Sequence, residues 1–430
     1  MKEVFMKRIY AVFFIVTAFC AFAFANGQND SNAASTGKTG ITMKFWIFLD
    51  PTSTEDPRSV VLKDIVDTYN ATNAYGNKVI VESIHWSRFE SQVIQAAASG
   101  TGPDILNVFS DQLRTHMEAG TIRPMTKYAL PFISSMPDYI HTAQKLTQGD
   151  GNIYSLPWES RVTVLWYRTD VYAKAPDSWE TLRTLGSAAS DKNGLGFALA
   201  LGEGGNGAGL METFIPWLRS AGGELLDKNG KAAFNSDAGV KVVRYIASLI
   251  KAGTMNNTAM SMVYDDLVDG YKSGTIYAGN VATQRASAIR KSNLVSKFAC
   301  APIPGVDVSA PAPAYVAGQT LAIGAHAQNP DMAFDFIKSF YSIENQTKWV
   351  KANCLPVRTD VYNNKQVQSI PTYKDMQMWS EYAKTGAIVF FPADYSELSS
   401  RLAQAVQKVV FQGADAKAQL DSVAKWYNAK

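Results

Sequence analysis

Cysteine is scarce. Three in 430 residues are too few for a disulfide scaffold or a four-thiolate metal site. Histidine is nearly as rare. His85, His116, His141 and His326 are all there are; no two stand three or four residues apart, and neither HExxH nor CxxC occurs, so no zinc motif is present. Charge of one sign is missing too. The chain has 41 basic and 38 acidic residues, a formal +3, and no run concentrates the excess, which excludes the footprint of a nucleic-acid binder. Past the N-terminus no apolar run approaches the ~18 residues of a membrane helix. There is no GxSxG elbow and no convincing Ser/Cys–His–acid series. Residues 202–209 (GEGGNGAG) supply glycine without the Lys-Ser/Thr that grips phosphate. The two DKNG segments at 191–194 and 227–230 lack the acid that closes a calcium loop and read as turns.

What is present is an ordinary globular balance. Hydrophobic residues make up 47% and charged residues 18%, enough apolar material to rule out wholesale disorder. At ~100–200 residues per domain the length predicts two or three domains. The N-terminus carries Lys2, Lys7 and Arg8, then an apolar run over 11–24 that ends in Ala23-Phe24-Ala25. That is an export signal, residues 1–25, with a small-x-small cleavage site. Cys20 offers a second route, a lipid anchor after cleavage before it, although bulky Phe19 fits poorly there. The protein is therefore expected outside the cytoplasm, periplasmic or on the cell surface. Residues 26–40, rich in Gly, Ser, Asn and Thr, form a flexible leader. An oxidising space permits a Cys300–Cys354 disulfide, but spacing fixes no geometry, and two separate buried thiols is the simpler reading.

Along the mature chain, apolar strands at 41–49, 77–84 and 103–109 alternate with helices at 59–73, 88–98 and 113–119. Short polar turns join them, which predicts βαβ units on a largely parallel sheet. The second half repeats the theme. Apolar segments at 153–157 and 162–167 flank Trp158-Glu159-Ser160-Arg161, a strand is expected at 196–201, and Ser178 is placed to cap a helix over 178–189. The class is α/β with two lobes.

Aromatic residues beside polar ones at the strand ends point to a cleft. Trp46 and Asp50 close the first strand, Trp86 and Arg88 follow the second, and Ser110 and Asp111 follow the third. Trp158, Glu159 and Arg161 lie between the two apolar segments. Glu203 and Asn206 are the polar residues of the glycine-rich loop. In an open α/β sheet the carboxyl ends of strands face one crevice. Such a set suits a sugar: aromatic faces stack on its C–H surface, and carboxylates, amides and guanidinium groups pair with its hydroxyls. Trp46, within a strand, reads more simply as core though its strand end keeps it among the cleft candidates; Trp158, between Pro157 and Glu159, is assigned to the cleft. A carboxylate pair for glycoside hydrolysis, drawn from Asp104, Asp111 and Glu159, is defined by distance rather than spacing and stays open.

Several short segments then occur in a telling order: GTGPDIL at 100–106, YSLPWESRVTVLWYRTD at 154–170, PDSWE at 176–180, AGGE at 221–224, APIPG at 301–305, the helix pattern of 329–340 with 346–349, and LPVR at 355–358. In this order the chain resembles the extracellular solute-binding proteins of ABC importers, the carbohydrate-binding group that includes maltose-binding protein. The resemblance implies a bilobed periplasmic-binding-protein-like fold. Lobe 1 would comprise 41–158 and 310–365, and lobe 2 159–309 and 366–430. It implies a ligand between the lobes, a membrane permease as partner, a monomer, no cofactor and no catalysis. It adds Asn280, Gln284, Gly318, Gln319 and Tyr395 as ligand contacts, and places Asp111 where the group often has a sugar-bonding Asp. Residues 280–284 lack the stacking Trp common there. The same fold could instead take a polyamine, a glycerol-phosphate or other phosphodiester compound, a peptide or a metal chelate; a secreted hydrolase is the remaining alternative.

Overall fold

β1 (Thr42–Ile47) alternates in the period of a strand. Met43, Phe45 and Ile47 are fully buried, while Thr42 and Lys44 face outward. Its neighbours β2 (Lys78–Ser83) and β3 (Ile105–Phe109) run parallel to it. Parallel strands need crossovers, and the helices Pro57–Thr72 and Trp86–Ala98 supply them. The first of these starts where the chemistry dictates: the Asp56 side chain accepts from the Arg58 amide at 2.9 Å, and Pro57 occupies the first turn. The computed structural model describes residues 40–137, 151–204, 207–290, 293–386 and 391–430. The expected signal peptide, nearly all of the leader, Cys20, His141 and Asn206 lie outside the described residues.

The parallel expectation holds for these three strands only. β4 (Leu156–Arg168), β5 (Ala278–Ala282), β6 (Phe298–Ala301) and β7 (Val316–Ile323) pair antiparallel. The sheet order is β2-β1-β3-β7-β4-β5, with β6 also on β4. The two apolar segments expected around residues 158–161 are one 13-residue strand, β4. Its first half pairs with β7 and its second half with β5 and β6. A register shift between Pro157 and Glu159 interrupts the ladder, as a residue without an N–H promotes. The strand expected at 196–201 is reduced to isolated bridges, because the amides of Phe197 and Leu201 donate instead to the carbonyls of Thr254 and Ala259. The helix Trp179–Ala189 is capped by Ser178 as expected, with Thr181 completing a reciprocal capping box.

One hydrophobic cluster gathers Phe45, Trp158, Trp166, Phe336, Phe340 and Trp349 about the sheet. A second, with Trp179, Trp217 and Tyr245, is enclosed by the helices Ala208–Ser220, Asp237–Lys251, Tyr395–Gln412 and Ala416–Asn428. Cys300 and Cys354 are both free thiols; the Trp379 indole N–H donates to the Cys300 sulfur at 3.3 Å. His116 is buried and bonded to Thr121, and burial pushes its pKa down to about 4. His326 is exposed. Among the described residues no three His, Cys, Asp or Glu side chains converge as a metal cage.

β7 and β4 approach closely at Gly318. A Cβ there would stand 2.3 Å from the Glu159 carbonyl oxygen. The Gly318 backbone also exchanges hydrogen bonds with Ser110: Gly318 N–H donates to Ser110 Oγ at 3.0 Å, and Ser110 N–H to the Gly318 carbonyl at 3.1 Å. Gly318→Ala is expected to lower the unfolding free energy by about 1–3 kcal/mol, the usual cost of overpacking against unyielding backbone. A urea midpoint equal to wild type would show that the two strands part freely at this point.

Candidate functional site

The parallel strands β1, β2 and β3 end together, and their carboxyl ends form one wall of a cavity of about 390 Å³. This is where open α/β sheets place ligands. Phe48 and Asp50 follow β1, His85 and Trp86 follow β2, and Asp111 and Gln112 follow β3. The opposing wall comes from later chain: Glu212 on the helix Ala208–Ser220, Tyr264 and Asp265 at the start of the helix Tyr264–Ser273, Gln284 and Arg285 after β5, and Tyr395 and Ser399 on the helix Tyr395–Gln412. Arg161 from β4 and Gln319 from β7 line it from the sheet.

Arg161 is the electrostatic centre. Its guanidinium lies 3.7 Å from Glu212, whose other oxygen accepts from Thr163 at 2.9 Å. Burial works against the Arg161 charge, but Glu212, Asp111 and Glu159 more than offset that and hold its pKa above the ordinary arginine value. The three carboxylates show the converse. Burial raises the pKa of each, opposed mainly by Arg161 for Asp111 and Glu212, and by Arg58 and then Arg161 for Glu159. Two more arginines stand on the wall, each already paired. Arg58 grips Asp56 through two bonds of 2.8 and 3.2 Å and lies over the Phe48 ring at 5.5 Å. Arg285 pairs with Asp265 at 2.7 Å and lies over Tyr264 at 5.3 Å.

Of the residues singled out by sequence, Asp50, Trp86, Asp111, Arg161, Gln284, Gln319 and Tyr395 line this cavity. The others do not, each for a local reason. Trp158 is fully buried; its ring lies 4.3 Å from Trp349 and 5.9 Å from Phe340. Its assignment to the cleft is corrected to the core. It acts on the cavity indirectly: its indole N–H donates to Asn107 at 3.0 Å, and the Asn107 amide donates to Gln319 at 2.8 Å. Glu159 is sealed behind the wall beside Cys354, whose thiol pKa is driven up by burial and by that carboxylate. Trp46 is in register with Glu82 on β2 and donates its indole N–H to it at 2.6 Å. Arg88 is exposed on the outer face of its helix. Ser110 and Gly318 spend their groups on each other. Asn280 is buried and donates to Thr213 at 3.1 Å. Glu203 is exposed and accepts from Gln404 at 3.1 Å. Asn206 lies outside the described residues.

Sequence reasoning missed Arg58, Glu90, Glu212, Tyr264 and Arg285. For Glu212 there was a signal: it is the one charge in an apolar helical run, LMETFIPWL at 210–218, and a lone buried acid implies a nearby cation.

Residues 64–375 match the family described as bacterial extracellular solute-binding proteins. Among curated relatives, a probable ABC transporter-binding protein of Deinococcus radiodurans is 25% identical over 60% of this chain, and the match spans 64% of that protein. The arabinooligosaccharide-binding protein of Bacillus subtilis is 21% identical over 90% of this chain and 87% of its own length. In structure, a solute-binding protein of Thermotoga lettingae bound with α-D-tagatose is similar with a TM-score of 0.79 at 19% identity, over 90% of this chain and 99% of that one. The fold is thus the bilobed α/β one of the periplasmic binding proteins, and the chain belongs to the bacterial extracellular solute-binding proteins.

Proposed function

We propose that this protein is the extracytoplasmic sugar-binding component of an ABC importer, holding a sugar or short oligosaccharide in the 390 Å³ cavity and delivering it to a membrane permease. One observation carries the reading: the cavity wall sets side chains that donate, accept or do both, among them Asp111, Gln112, Arg161 and Gln284, beside the ring surface of Phe48, Trp86 and Tyr395. Hydroxyls both donate and accept, and the C–H face of a sugar ring suits the aromatic faces. The names of the Bacillus and Thermotoga proteins, one an arabinooligosaccharide binder and one bound to tagatose, point the same way.

Binding without hydrolysis fits the acids. Asp104 spends its carboxylate on the Lys44 amide at 2.9 Å, and Glu159 does not reach the cavity. The proposed division is lobe 1 at 41–158 with 310–365 and lobe 2 at 159–309 with 366–430. The exported monomer closes on its ligand because only the closed form touches it from both lobes. Trp86→Ala is expected to weaken sugar binding by about 1–3 kcal/mol with little change in melting temperature, the loss of one stacked ring. Isothermal titration against mono- and oligosaccharides tests both points. Wild-type affinity in the variant removes Trp86 from the site; no heat with any sugar removes the sugar.

A further inference from the structure

The arginines and carboxylates of the cavity wall do not balance. Arg58 is paired with Asp56, Arg161 with Glu212 and Arg285 with Asp265. Those three pairs cancel. Asp50, Glu90 and Asp111 also line the wall, and among the described residues no Lys, Arg or His stands within 4.0 Å of any of them. Asp50 is exposed and bonded to Thr52. Glu90 accepts only a neutral hydroxyl, that of Ser396, at 2.9 Å. Asp111 faces the Tyr315 hydroxyl and shares the field of Arg161 with Glu159 and Glu212. Burial pushes the Glu90 and Asp111 pKa values up, and the Asp111 charge pushes Glu90 further in the same direction. Carboxylates in excess of the arginines on one cavity wall favour a positively charged ligand. The same cavity also offers the Trp86 ring and the Gln284 side chain, so a cation held there meets an aromatic face and a neutral polar group as well.

We propose that the sugar this cavity selects carries a protonated amine, whose ammonium lies against Asp111 and Glu90. This deepens the sugar reading and rests on it. A hydroxyl offers one proton and no charge, whereas an ammonium offers three donors and no acceptor. It therefore answers the uncancelled carboxylates, and the sugar's hydroxyls remain for the amides and Arg161 of the wall. A linear polyamine supplies the charge but nothing that accepts from Arg161, and it has no ring face for Trp86.

The test is titration calorimetry at low salt and neutral pH with glucosamine, galactosamine, mannosamine and the β-1,4-linked glucosamine disaccharide. Each is run beside its N-acetyl and hydroxyl counterparts, and spermidine is run alone. An amine form is expected to bind at least tenfold tighter than its own neutral counterparts. That ratio should shrink in added salt and fall severalfold in Asp111→Asn and in Glu90→Gln, with thermal melting confirming that each variant folds. A hydroxyl or N-acetyl form that matches or exceeds every amine form overturns the inference and leaves the sugar reading standing. A ratio unchanged in both folded variants overturns the placement at Asp111 and Glu90. Spermidine bound while every sugar is silent, or no ligand bound at all, overturns the sugar reading and the inference together.

Discussion

Trp158→Ala is expected to reduce the unfolding free energy by about 3–5 kcal/mol, the range for truncating a large buried aromatic. The indole is fully buried against Trp349 and Phe340, and neighbours that pack this densely relax only partly around a void. A polar loss adds to the cavity. Asn107, itself fully buried, loses the N–H that its Oδ1 accepts, and an orphaned buried acceptor costs ~1–3 kcal/mol. Because Asn107 also holds Gln319 on the cavity wall, ligand affinity should fall as well. Trp158→Phe separates the two effects: it refills most of the volume and removes only the donor, for an expected loss of about 1–2 kcal/mol. Urea denaturation of both variants decides. If Trp158→Ala unfolds within 0.5 kcal/mol of wild type, about the size of an ordinary surface substitution, the indole is not the packing element its position indicates.

The same residue shows where sequence reading stops. The first three strands and their helices were legible because each buries one face and repeats in the period of its element, as Met43, Phe45 and Ile47 do. Their carboxyl ends followed from the α/β rule, and with them Asp50, Trp86 and Asp111. β4 gave no such guide. Every residue from Leu156 to Ser160 is buried, so alternation cannot tell a core face from a cavity face. Trp158 was placed on the wrong one. The antiparallel pairing of β4 with β7 joins segments more than a hundred residues apart, and no local pattern announces it. The paired charges behave likewise. Arg161 and Glu212 lie 51 positions apart, and only the fold brings them together. Ser178 was readable because a capping box is complete within four residues.

Arg161→Met should be comparably damaging, for an electrostatic reason. The side chain is 12% exposed and its partner Glu212 7%, and Asp111 and Glu159 share the same guanidinium. Methionine keeps much of the volume and removes the cation that Asp111, Glu159 and Glu212 share, leaving only Glu159 with a second one, Arg58. Breaking a buried pair from one side costs about 3–5 kcal/mol, because the charge left behind has lost its compensation. The loss should depend on pH, with a definite sign. Burial already holds the pKa values of Asp111, Glu159 and Glu212 above their ordinary values; Arg161 is the main opposition for Asp111 and Glu212 and the second, after Arg58, for Glu159. Without Arg161 they rise further, so the folded state binds more protons than the unfolded chain. Stability is then greatest below the unfolded carboxylate pKa of about 4–4.5 and declines as pH climbs through the raised folded values. The variant should therefore lie nearer wild type at pH 5 than at pH 7.5. Adding Glu212→Gln should recover part of the loss at pH 7.5, because it deletes one of the stranded charges, and the double-mutant cycle measures that coupling. Equal destabilisation at both pH values, with no recovery in the double variant, would assign the loss to packing and remove Arg161 from the centre of the charge network.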